Sequence, residues 1–355
     1  MKVFYSNKHR LHDPPFEVFD GGRKVPYLES PERIDKILLA LEKSKWAELV
    51  EPLDFGIELI LAVHDPGYMN FLEASWGEWV ALEQTNDTPV KDLVLLPATF
   101  ALRRQPHIPA SVLGRAGYYI MDLSACIVKG TYEAARSAAN CALSGAKMIS
   151  TRVKTSSPLN KELTTAFALC RPPGHHAGKD YAAGYCFINN AAVAANWLST
   201  TGKVAILDVD YHACNGTQDI FYDRSDVLTI SIHGDPSGEY PYYSGYLDEV
   251  GIGDGYNYHH NFPLPPGTDD ENYLAALAEA INLIQKFKPN YLIVSVGADI
   301  YKDDPLGRFK ITTEGFNKIG REIADLALPT LIVMEGGYNN DALGDNIVSF
   351  LSTFN

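Results

Sequence analysis

The stretch VAILDVDYHACNG (204–216) closes a run of strand-forming apolar residues with Asp208, Asp210 and His212 at alternating positions. Unpaired charge is costly away from water, so three such residues ending a hydrophobic strand need a partner. Residues i and i+2 of an extended segment project to the same side, so Asp210 and His212 can reach one point together. Asp299, just beyond the apolar run YLIVSV, can supply a third ligand from another strand end. One imidazole and two carboxylates leave open positions on a tetrahedral or five-coordinate zinc, as a catalytic ion requires. That ion would compensate the buried negative charge. Asp208, one step ahead of the pair, aims elsewhere and needs a histidine or a second cation.

The same pattern recurs at other apolar runs. AFALC (166–170) is followed by RPPGHH with His175 and His176, and VLTI (227–230) by Ser231, Ile232 and His233. TLIVM (330–334) is followed by Glu335-Gly336-Gly337-Tyr338. Ligands of open parallel sheets sit beyond the carboxyl ends of the strands, and each of these clusters follows such a strand. Between the strands lie helical segments: Thr131–Ser150, 187–199, a helix running to Phe287 announced by Thr268 and Glu271 as a capping box, Thr313–Leu326, and a terminal helix. The first 80 residues hold an opening strand, KVAIL (203–207) is another strand, and Ser30-Pro31-Glu32 announces a further helix as N-cap, first-turn proline and acid. This alternation predicts one α/β domain over 1–355, with a predominantly parallel central sheet and helices on both faces. Residues 84–116 have no clean period and read as a long excursion from that domain.

A net charge of −14 argues against nucleic-acid binding, which needs a basic footprint, and is compatible with a cationic substrate. No stretch has the length of a membrane span, and the N-terminus lacks the apolar core of a signal peptide. Cys126, Cys141, Cys170, Cys186 and Cys214 are odd in number and show no paired spacing, which points to free thiols in a reducing cytoplasm.

The motifs RPPGHHAG (171–178), GYCFINNAA (184–192), ILDVDYHACNGTQDIF (206–221), SIHGDP (231–236), VSVGADIYKDDP (294–305) and MEGGY (334–338) resemble those of the histone deacetylase–acetylpolyamine amidohydrolase family. The likeness extends to HDPGYMNFLE (64–73), PHIPASVLGRAGYY (106–119) and PER (31–33). It looks most like the bacterial acetylpolyamine amidohydrolases, which share the arginase–deacetylase fold. The resemblance implies zinc held by Asp210, His212 and Asp299, with His175 and His176 as the tandem pair and His176 as general base and acid. Asp208 would support His175 and, with Ser231 and the carbonyls of Asp210, His212 and Ile232, hold potassium. Asn215 would support His176, and Tyr338 would polarise the substrate carbonyl. Gly184, Tyr185 and Tyr240 would line a slender tunnel for the acyl-amine chain. The 84–116 insertion would build a homodimer that narrows the active-site entrance.

Two departures stand out. The family's usual His-His-Gly-Asn-Gly is His212-Ala213-Cys214-Asn215-Gly216 here, and Leu113 stands where a polyamine-specific relative carries an acid. The leading expectation is removal of acetyl groups from acetylated polyamines or similar small cationic amines. The alternatives are an acetyl-lysine deacetylase, a binuclear manganese ureohydrolase and a catalytically silent acyl-amine binder.

Overall fold

The computed structural model describes residues 1–19, 22–83, 89–102, 107–155 and 164–355. Its centre is an eight-stranded sheet: β1 (Lys2–Phe4), β4 (Glu48–Val50), β5 (Thr165–Ala168), β6 (Val204–Asp208), β7 (Val227–Gly234), β8 (His259–Leu264), β9 (Tyr291–Val296) and β10 (Thr330–Met334). The order is β4-β1-β5-β10-β9-β6-β7-β8, and every pairing is parallel. A separate antiparallel pair is made by β2 (Glu17–Phe19) and β3 (Arg23–Val25). The sheet is thus wholly parallel, where the sequence predicts a mainly parallel one.

Strand alternation builds the two cores. Ala205 and Leu207 of β6 face a cluster that includes α1 (Glu32–Ser44), α8 (Asp270–Phe287), α9 (Thr313–Ala324) and α10 (Leu343–Leu351). Val204 and Ile206 face the other side, against α5 (Thr131–Thr155), α6 (Asn190–Ser199) and α7 (Asn215–Phe221). With β6 fully buried on both faces, each large aliphatic side chain contributes about 1.5–3 kcal/mol. Alanines at 138, 142, 146, 191, 194 and 195 let α5 and α6 approach closely. A third apolar layer gathers α2 (Glu58–Leu61), α3 (Pro66–Glu83) and α4 (Val112–Tyr119).

Several boundaries differ from expectation. The helix to Phe287 is capped by Asp269, whose carboxylate accepts from Asn272 N, while the Thr268 hydroxyl turns back to Pro265 O. A carboxylate one residue later outcompetes the predicted Thr268–Glu271 box. Ser30 supplies only its carbonyl to Arg33 N, and α1 begins without a side-chain cap. The helix expected from 187 starts at Asn190, capped by Asn189. The last part of the 84–116 segment is already helical, because Ser111 accepts from Gly114 N and starts α4. Residues 84–88 and 103–106 of that segment lie outside the described residues. No described helix is long and apolar enough to cross a membrane, and all five cysteines are free and buried.

Candidate active site

The apolar strands deliver their polar ends to one place. In register, Asp208 on β6 lies between Ser231 on β7 and Ser295 on β9. Beyond β6, Asp210 and His212 turn inward together, as their alternation predicts. His212 Nδ1 lies 3.3 Å from Asp210 Oδ1 and 3.1 Å from Asp299 Oδ2. One ligand atom from each of Asp210, His212 and Asp299 lies within 4.8 Å of the other two. Both carboxylates are fully buried.

Backbone donors aim the unused oxygens. Tyr211 N donates to Asp299 Oδ1, and Gly336 N donates to Asp210 Oδ2. The space beside them is kept by glycine: a Cβ at Gly336 would lie 2.5 Å from Asp299 Oδ2 and 2.7 Å from Asp210 Oδ2, and one at Gly297 would collide with Asp210. Burial and the neighbouring Asp210 charge raise Asp299 to about 7. Two carboxylates and an imidazole crowded into a glycine-walled cradle fit the donor set of a divalent cation.

The tandem histidines are set from three directions. Glu335, fully buried at the end of β10, accepts from Gly174 N and His175 N, and its other oxygen accepts from the Ser295 hydroxyl. His175 Nδ1 faces Asp208 Oδ2 at 3.2 Å, the histidine partner that Asp208 needs. His176 Nδ1 faces Asn215 Oδ1 at 2.6 Å. Both oxygens only accept, so each Nδ1 carries its hydrogen, and in a neutral ring Nε2 is left as a lone pair. The partners differ in charge, and so do the rings. Burial disfavours the imidazolium at both, but Asp210 and Asp208 outweigh it at His175 and raise it to about 10. At His176, burial and the charges of His175 and His212 hold the ring well below its usual value, so it stays a neutral base.

Tyr338 follows Gly337, whose φ of +119° suits glycine. Its amide donates to Asp304 Oδ2. Arg33 fixes this turn from below, donating to Gly337 O and Glu335 O, with its guanidinium 5.0 Å over the Tyr338 ring. Burial raises the phenol well above 10, so the hydroxyl stays protonated and able to donate.

His176, His212 and Tyr338 open into a cleft of about 970 Å³, whose walls include Gly184, Tyr185, Tyr240 and Leu306. Asn215 also reaches this cleft, whereas Asp208, Asp210, Asp299 and His175 lie outside its lining. Ser231 and Ile232 are buried in β7, with the Ser231 hydroxyl 2.7 Å from His233 Nδ1. Leu113 packs into the third layer and is not among the cleft-lining residues described. Ala213 and Cys214 are buried, and Cys214 contacts the Ser231 hydroxyl.

The histone deacetylase domain matches residues 27–354. The chain belongs to the histone deacetylase family. Acetylpolyamine amidohydrolase 2 of Pseudomonas aeruginosa is 44% identical, covering 100% of this chain and 98% of the relative. Acetylpolyamine amidohydrolase of Mycoplana ramosa is 41% identical, covering 99% and 98%. The crystal structure of acetylpolyamine aminohydrolase from Burkholderia pseudomallei superposes with a TM-score of 0.90 at 38% identity, covering 100% and 98%. The HDA15 HD domain superposes with a TM-score of 0.78 at 26% identity, covering 99% and 87%. This histone deacetylase family member is therefore a hydrolase of the deacetylase type.

Sequence reasoning overlooked the supports. Arg33 stands in the family-like PER, and Glu335 carries the signal that singled out Asp208, a charge directly after an apolar strand. Arg171, directly after AFALC, carries it too, whereas Asp304 and Glu29 have no such local mark.

Proposed function

We propose that the protein is a zinc-dependent amidohydrolase that removes acetyl groups from acetylated polyamines or related small aliphatic amines. One observation carries the reading: His212, which clusters with the buried Asp210 and Asp299, lines an aromatic-walled cleft together with His176 and Tyr338. The names of the P. aeruginosa and M. ramosa relatives support the substrate class.

When bound by these three residues, zinc supplies Lewis acidity for the acetamide carbonyl and for the water beside it. His176 Nε2 takes a proton from that water as its oxygen bonds to the carbonyl carbon. The same imidazolium then protonates the amine nitrogen as the C–N bond breaks, releasing acetate and free amine. His175, tied to Asp208, packs its ring against that of His176 with centroids 4.0 Å apart and holds it in place. Tyr338 donates to the carbonyl oxygen as negative charge builds there, a contribution of about 3 kcal/mol. Tyr185 and Tyr240 offer ring faces to a thin aliphatic chain and its cationic end.

The remaining assignments have narrower support. Asp208 and Ser231, adjacent across β6 and β7, are proposed to hold potassium together with the carbonyls of Asp210, His212 and Ile232. The 84–116 segment is proposed as a homodimer interface at the cleft entrance, supported by exposed Phe100, Leu102 and Ile108, of which Phe100 lines the cleft. Five buried free thiols support a cytoplasmic location.

The test is a substrate panel of acetylputrescine, acetylspermidine and an acetyl-lysine peptide, with metal analysis of the same preparation. We expect one zinc per chain and faster turnover of the small amines. Equal or faster turnover of the peptide removes the polyamine assignment, and two manganese per chain revives the ureohydrolase.

A further inference from the structure

Both tunnel tyrosines have their hydroxyls held by a carboxylate from a distant segment. Tyr185 donates to Glu17 Oε2 at 2.7 Å, and Glu17 Oε1 accepts from Leu28 N at 2.9 Å. Tyr240 donates to Asp122 Oδ2 at 2.7 Å. That oxygen also accepts from Gly184 N at 2.8 Å, while Asp122 Oδ1 accepts from Ser124 N and Ala125 N. Four donors therefore converge on Asp122, so this cleft-lining carboxylate has both oxygens engaged by the protein. Glu17 is fully buried and is likewise engaged at both oxygens. Asp122 and Glu17 thus act on the tunnel's rings.

The consequence for Tyr240 is geometric. Its ring stands edge-on to His176, with centroids 4.9 Å apart at 90°, and 6.0 Å from the His212 ring. Gly184 closes the same corner: a Cβ there would collide with His176 and come within 3.0 Å of the Tyr240 hydroxyl. A phenylalanine at 240 would fill the same wall but could rotate and swing with its loop. A phenol bonded to a carboxylate that is itself fixed by three backbone amides cannot do so without breaking a charge-assisted bond.

We propose that the Tyr240–Asp122 bond, with Tyr185–Glu17 as its counterpart, is a width filter: it fixes the tunnel wall so that only an unbranched chain reaches His176 and Tyr338. Tyr240 and Tyr185 are specificity-determining residues through their hydroxyls, and Asp122 and Glu17 are positioning residues. The substrate half of this inference rests on the amidohydrolase reading above.

Tyr240→Phe and Tyr185→Phe keep both rings and remove only the ties. The probes are N-acetyl-1,4-diaminobutane and its analogue bearing a methyl group on the carbon next to the amide nitrogen. The parent enzyme is expected to favour the unbranched amide, and Tyr240→Phe to reduce that preference at least tenfold by raising kcat/KM for the branched one. A purely structural role would lower both values together, so a parallel loss overturns the proposal, as does a ratio unchanged within twofold. A second readout is independent of turnover. Amide hydrogen exchange across residues 235–245 of the metal-free protein is expected to accelerate several-fold in Tyr240→Phe. Unchanged exchange overturns the pinning itself. Failure of the parent to release acetate from either amide, with exchange accelerated, overturns the substrate half and the amidohydrolase reading while the pinning stands.

Discussion

Glu29 and Asp299 are both fully buried carboxylates, and their neighbours differ in kind. Glu29 Oε1 lies 2.6 Å from Arg33 Nη1 and 3.0 Å from Arg171 Nε. Arg171 also donates to His9 O, His12 O and Glu29 O, so the charges are matched by permanent cations with planar, multi-donor geometry. Asp299 and its neighbours Asp208 and Asp210 make their ion pairs with histidines alone among the described residues. Histidine is a partner that can give up its proton, and a coordinating histidine must do so. The first group holds loops together by itself. The second is arranged for a cation supplied from outside.

The contrast can be broken by removing one charge from each group. Asp299→Asn keeps the acceptor for Tyr211 N but removes an anionic ligand. Zinc retention should be lost and deacetylation should fall at least about 10³-fold, the equivalent of several kcal/mol. The chelated protein should melt no lower than the chelated parent, because a like charge beside Asp210 has gone. A marked fall in its Tm would show that Asp299 is held structurally, as Glu29 is. Arg171→Met should do the reverse, costing about 3–5 kcal/mol of stability by leaving buried groups uncompensated. Denaturant unfolding reads this, and folded variant should still bind zinc. Little change in stability would mean that Arg33 alone balances Glu29.

Tyr338→Phe sharpens the comparison by removing a donor without touching either charge group. It should lower kcat about 10²–10³-fold with zinc content unchanged. A variant as active as the parent would remove Tyr338 from the chemistry.

The smallest effect concerns a histidine outside both groups. His64 is buried, with Nδ1 on Gly178 O at 2.9 Å and Nε2 accepting from Asn189 N at 3.0 Å. Burial lowers it to about 4, against 6.5 when exposed. Between these values the unfolded chain binds a proton that the folded chain refuses. Its contribution is therefore complete above pH 6.5 and is lost as pH falls toward 4, at about 1.4 kcal/mol per pH unit. His64→Gln should flatten the stability slope in that window by about one proton. An unaltered slope would place the acid sensitivity at other histidines.

The residues that hold and transform substrate were legible because parallel strands, buried on both faces, make any charge at their ends conspicuous. Asp208, Asp210, His212 and Asp299 stand out in this way, and the structure brings the last three together. β9 and β10 match their apolar runs residue for residue. β8 was missed because HHNFPL is polar and lies at the sheet edge, where one side needs no partner. The ties from Arg33 to Gly337 and from Asp122 to Tyr240 join segments 304 and 118 residues apart, and no local pattern records such pairings.

The position of β10 has a consequence for how the molecule is made. It is the last strand of the sheet in chain order, yet it lies between β5 and β9. Its carboxyl end supplies Glu335, which anchors the segment bearing His175, and Tyr338. A chain still emerging from the ribosome holds both imidazoles long before it holds their anchor. Competence is thereby deferred until β10 has been made, and shortened products lacking β10 are expected to be inert.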